Sequence, residues 1–150
     1  MYKKSFVHYC TKIAVDVMFY GGIAAFFLVP YFVSWWTGRG GYAINVTHPF
    51  SVILFMSEVC AVYIMRQLKK IFITLHGGNP FVAGNVTCLR KIAAACLLIA
   101  VIFTVKCVMF FTYLSVVAVI IFVVATLFCL TLKDVFKQAV YYKEENDGVI

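Results

Sequence analysis

Apolar residues in this chain come in long runs separated by short basic segments. The first run extends from Ile13 to Trp36, and the second begins at Pro49 and stays apolar to Met65. The third and fourth are fused from Ile92 to Leu132 and are interrupted only by Lys106. A helix needs about 20 apolar residues to cross about 30 Å of hydrocarbon. Drawn as one helix, the fused run would measure about 60 Å, so it must fold back. Phe111 to Ser115 is the segment predicted to turn, although it holds neither Gly nor Pro. Four spans follow, over about residues 13–36, 49–68, 90–111 and 114–133, with a tail from 134 to 150.

Helical spacing does not stop where the charges begin. Leu68, Ile71, Phe72 and Leu75 recur at i, i+3, i+4 and i+7, which is one helical face. Gly77-Gly78 is predicted to end that helix, with Asn79-Pro80 as cap and first-turn residue of the next. Phe81, Val82, Val86, Leu89 and Ala93 keep the same period, as do Leu132, Val135, Phe136, Ala139 and Val140. Phe6, Tyr9, Cys10 and Ile13 show it at the N-terminal end. Such stripes can lie flat on headgroups or pack together below the membrane. Because three of them run on from their spans, the bundle is the expectation. The predicted fold is all-α, an integral membrane four-helix bundle whose helices extend into the cytoplasm.

Composition strengthens this reading. Of 150 residues, 64% are hydrophobic and 13% charged, about half the charged share of a soluble domain. The net charge of +7 would suit nucleic acid, but the cations border apolar spans, where an anionic leaflet is their natural neighbour. Direct nucleic-acid binding is therefore not expected. With both termini inside, eleven cations share the cytoplasmic side: Lys3, Lys4, Lys12, Arg66, Lys69, Lys70, Arg90, Lys91, Lys133, Lys137 and Lys143. Two, Arg39 and Lys106, go to the outer side. The bias predicts a multi-pass protein of the cell membrane with cytoplasmic N- and C-termini. The run from Ile13 to Trp36 is longer than the core of a secretory signal and is read as a retained span.

Charges inside spans are costly and mark candidate sites. Glu58 lies nine residues after Pro49, about 13 Å down the helix and near mid-membrane. It is read either as a proton or cation site or as a carboxyl that holds helices together, with Lys106 as its candidate partner. Asp16, near the inner end of the first span, is expected to form an interfacial pair with Arg66. Asn85 is expected to hydrogen-bond to a neighbouring helix. The cysteines Cys10, Cys60, Cys88, Cys96, Cys107 and Cys129 have no paired spacing, so neither a disulfide nor a metal site is expected. His8, His48 and His76 are scattered, and no cofactor is implied. No Ser or Cys nucleophile has a nearby His and acid, and no Gly-rich loop suggests a phosphate cradle. An enzyme is not expected.

Two stretches carry a resemblance. Asn79-Pro80-Phe81, then Asn85, then Leu89-Arg90-Lys91-Ile92 form the first. Asp134-Val135-Phe136, then Glu144-Glu145-Asn146-Asp147 and a terminal Ile150 form the second. Together they resemble a bacterial membrane-protein family known as domain of unknown function 2975, in a layout that covers nearly the whole chain. Ala83-Gly84 and Gly148-Val149 depart from its usual residues. The resemblance implies a four-span protein, often encoded beside a small helix-turn-helix regulator, with no established activity.

Two functions follow from different classes. The first is a non-enzymatic sensory or regulatory membrane protein that works through a cytoplasmic partner, using the extensions and the acidic tail. The alternative is a small proton- or ion-coupled transporter with Glu58 as the coupling group. Either accommodates a homo-oligomer.

Overall fold

A computed structural model describes residues 6–40, 44–78 and 80–148. Among these residues the regular elements are four helices: α1 (Phe6–Gly40), α2 (Ile44–His76), α3 (Ala83–Met109) and α4 (Tyr113–Gly148). All four are long and apolar enough to cross a membrane. With no water in hydrocarbon to satisfy the backbone, helices are the form such runs must take.

The helix ends follow local chemistry. Gly77 and Gly78 close α2: their N–H groups donate to Ile73 O at 3.1 Å and Leu75 O at 3.2 Å. Gly78 has φ +79°, the left-handed region that glycine enters without strain. The turn between α3 and α4 comprises residues 110–112, slightly earlier than predicted, and Ser115 already lies in the first turn of α4. It needs no Gly or Pro because Phe110 N–H donates back to Lys106 O at 2.7 Å and Ser115 N–H donates to Thr112 O at 2.9 Å. α2 begins at Ile44, ahead of Pro49, so this proline sits inside the helix.

One boundary differs from the sequence reading. Asn79 lies outside the described residues, and Pro80 does not open α3. Pro80 to Val82 precede the helix, and Val82 is its N-cap, extended at φ −127° and ψ 144°, with no side-chain cap. Val82 N–H donates to Pro80 O at 3.1 Å, a local turn that delays the helix by one short segment.

The helices pack in chain order. α1 lies against α2, α2 against α3 and α3 against α4; among the described residues the backbones of α1 and α4 do not approach. The result is an open row. α3 carries most of its burial, with Leu89, Ile92, Ala93, Cys96, Ile99 and Ala100 all enclosed. Small side chains let neighbouring helices come close, which is how packing is won when lipid is as apolar as the core.

α2 and α4 run on as uninterrupted helices past Arg66 and Lys133. At 36 residues, α4 is about 54 Å long, well beyond the hydrocarbon thickness. The extensions stay in the row at its basic end. Phe81 and Phe136 meet there with ring centroids 5.5 Å apart.

Candidate functional site

The polar groups fall into clusters strung along the row. At the basic end, Asn85 is 1% exposed and joins three chain segments. Its Nδ2 donates to Thr74 Oγ1 on α2 at 2.7 Å and to Pro80 O at 2.7 Å. The Thr74 hydroxyl, with one proton, lies 2.9 Å from Asn85 Oδ1 and 2.8 Å from Ile71 O. The amide thus forms the inter-helix link expected of it and also holds the elbow before α3. Thr74 was not singled out from the sequence. Its signal was there: Cys60, Gln67 and Thr74 recur every seven residues on α2, and the first two are buried.

Asp16 pairs with Lys69, at 2.7 Å from Oδ1 to Nζ, and not with Arg66. The α1-facing stripe of α2 explains the change. Glu58 and Val62 flank Gly22 of α1, and eleven residues on from Glu58 is close to three full turns. Lys69 therefore lies on that stripe, whereas Arg66 is rotated off it and exposed. Both partners are about a third exposed, 31% and 32%, so the pair contributes no more than about 1 kcal/mol. Lys69 Nζ also lies 5.3 Å and 5.0 Å from the ring centroids of Phe19 and Tyr20.

Glu58 is half-buried between α1 and α2, where its Oε1 would stand 3.8 Å from a Cβ built on Gly22. Lys106 is not its partner. Lys106 lies level with Phe50, eight residues along α2 from Glu58, or about 12 Å. The sequence estimate of shared depth took no account of the register in which α3 returns beside α2. Lys106 is 8% exposed, and its Nζ donates to Ser115 Oγ at 2.7 Å. The rings of Phe50 and Phe103, with centroids 5.2 Å and 5.8 Å away, supply the remaining electron density. Among the described residues, Glu58 is left with neither an ion pair nor a hydrogen bond.

The motif residues divide by environment. Leu89 is buried in the α3 seam, Phe136 packs on Phe81, and Arg90 is exposed. Glu144, Glu145 and Asp147 lie exposed on the last turns of α4. Among the described residues, no three His, Cys, Asp or Glu are placed to hold a metal ion.

Residues 42–150 match the sequence profile of the family described as Protein of unknown function (DUF2975), a stretch that spans α2, α3 and α4. No curated protein and no solved structure matches the chain.

Proposed function

This chain belongs to the DUF2975 family of unknown function, and from that premise we propose that it is a non-enzymatic membrane protein acting through a cytoplasmic protein partner. The observation that carries the reading is the length and surface of α4. The helix runs from Tyr113 to Gly148 and leaves Tyr141 and Tyr142, then Glu144, Glu145 and Asp147, exposed. Aromatic anchors beside acidic side chains suit a partner with a basic rim and an apolar centre. A small regulator that also binds nucleic acid has such a basic surface. The asymmetry of Lys and Arg supports placing this end in the cytoplasm and the spans in the cell membrane. In that orientation α3 is the fixed centre, and movement of the outer helices is reported to the tail.

The test is crosslinking in native membranes with and without residues 143–150. The truncated chain is expected to insert normally and to lose the crosslinked partner. Equal recovery from both chains overturns the reading.

One observation favours a second reading. The Glu58 carboxyl has no partner among the described residues, although it lies within an apolar span. An ionisable side chain without a partner inside an apolar span is a candidate proton or cation site. The chain would then be a proton- or cation-coupled conduit. Flux into liposomes should be present for the native chain and lost in Glu58→Gln. Absence of flux in both removes this reading.

A further inference from the structure

We propose that the groove between α1 and α2 at the basic end binds the phosphate of an anionic phospholipid. The groove has a volume of about 130 Å³ and is lined by Lys12, Val15, Asp16, Lys69, Phe72, Ile73 and His76. Its floor is apolar and its rim is charged. Lys12 is exposed and makes no ion pair among the described residues. Lys69 is held in place by Asp16 at 2.7 Å and by the two aromatic rings beneath it. The rim's two ammonium groups and one carboxylate sum to +1, beside the His76 imidazole. That balances one phosphodiester.

Position selects a lipid over a soluble anion. Lys69 stands three residues beyond Arg66, the first charge after the apolar run of α2. This is where hydrocarbon gives way to headgroups. Ile13, Val17 and Tyr20 on the same part of α1 are exposed, at 47%, 64% and 63%. A glycerophospholipid gains both contacts, its phosphate at the ammonium groups and its acyl chains along these side chains. A free phosphate gains only the first. Basic pockets between spans at the cytoplasmic face are known to hold such headgroups. A zwitterionic lipid brings its own ammonium to a rim that is already cationic and binds less well.

The test uses the purified full chain in phosphatidylcholine vesicles, with spin-labelled phosphatidylglycerol as the probe and the fraction of immobilised label as the readout. Lys12→Gln and Lys69→Gln should each weaken association by about five-fold, the loss of one direct charge-assisted contact to the phosphate, or about 1 kcal/mol. Asp16→Asn should strengthen it by a similar factor, because the rim gains a full positive charge. A groove that merely collapsed would weaken in all three variants. The exposed residues Lys70 and Lys91 serve as the control, since neither lines the groove. Replacing both with Gln should leave association within about two-fold, because exposed ammonium groups outside the groove act on the phosphate only through screened solvent. The proposal is overturned if the control variant loses as much as the groove variants, or if Asp16→Asn weakens binding. It is also overturned if inorganic phosphate displaces the labelled lipid, because the ligand is then a soluble anion. None of these outcomes bears on the α4 tail, so the partner reading stands or falls separately.

Discussion

α1 and α3 are both apolar and both long enough to cross a membrane, yet they are used in opposite ways. In its most apolar stretch α3 is 39% buried, and α1 only 6%. Hydrophobicity does not separate them. Side-chain size does. α3 turns Ala93, Ala95, Cys96 and Ala100 toward its neighbours, whereas α1 carries Phe26, Phe27, Leu28, Tyr31, Phe32 and Trp35 in quick succession. In lipid an apolar side chain gains nothing by leaving its surroundings, so close approach and polar links decide which helix becomes the centre. α3 has both, through its small seam and through Asn85 and Lys106. Among the described residues α1 meets α2 through Phe26 on Phe55, with centroids 4.4 Å apart, and through Lys69, which pairs with Asp16 at about a third exposure and lies over Phe19 and Tyr20.

The largest expected effect contrasts the two helices directly. Ile99 is 1% exposed and Leu28 61%. Ile99→Ala opens a cavity that lipid cannot fill, and should destabilise the chain by about 2 kcal/mol. The transfer contribution that enlarges such losses in water is missing here. Leu28→Ala exchanges one lipid contact for another and should stay within about 0.5 kcal/mol. Detergent-titrated unfolding in bicelles measures both. Equal losses would mean that α1 is packed as tightly as α3.

Asn85→Ala comes next, with an expected loss of about 1 kcal/mol. It deprives Pro80 O of its side-chain donor and Thr74 Oγ1 of its partner, both in a buried setting. Thr74→Ala in the Asn85→Ala background should then cost almost nothing. A full additive loss in that double variant would show that the pair does not act as a unit.

What the sequence made legible follows the same division. The four long apolar helices and the end of α2 were readable, because a long apolar run admits one solution in hydrocarbon and Gly77-Gly78 admits one ending. The extension of α4 was readable from the period of Leu132, Val135, Phe136 and Ala139. Pairings were not. Periodicity gives the face of a residue on its own helix, but not the rotation or sliding of the next helix against it. Asp16 was therefore matched to Arg66 by depth, and the structure selects Lys69 by azimuth. Glu58 and Lys106 were matched by depth as well, and the return register of α3 sets them apart. An apolar helix such as α3 offers no polar face to mark its exposed side, so its hub role was invisible until its small residues were seen packed. The elbow misled for another reason. Asn79-Pro80 looks like a helix start, but the chain first makes a local turn at Pro80 and begins the helix at Ala83.

The contact between Asp16 and Lys69 should matter less than the buried amide. A double-mutant cycle with Asp16→Asn and Lys69→Gln should give a coupling of about 0.5 kcal/mol, as expected for a pair that is about a third exposed. The coupling should shrink between low salt and about 0.15 M, where the screening length falls to about 8 Å. A coupling that exceeds the Asn85 loss and resists salt would place this pair in a far drier setting.

The smallest effect belongs to Gly22, and it is the most sensitive probe of how loosely α1 is held. A glycine facing a neighbouring helix in a membrane usually signals backbones drawn too close for any side chain. The geometry at Gly22 says otherwise. A Cβ built there would lie 3.6 Å from Val62 Cγ2 and 3.8 Å from Glu58 Oε1, which is ordinary contact. The Glu58 atom is also the end of a flexible side chain and can yield. Gly22→Ala should therefore leave stability within about 0.5 kcal/mol, with the lower conformational freedom of alanine offsetting any small displacement. It should also leave the α1–α2 distance unchanged when read by spin labels on the two helices. A loss above about 1.5 kcal/mol, or a measurable separation of the helices, would mean that α1 meets α2 more tightly than its exposure implies. α1 would then belong to the packed centre with α3, and the contrast between the two helices would fail.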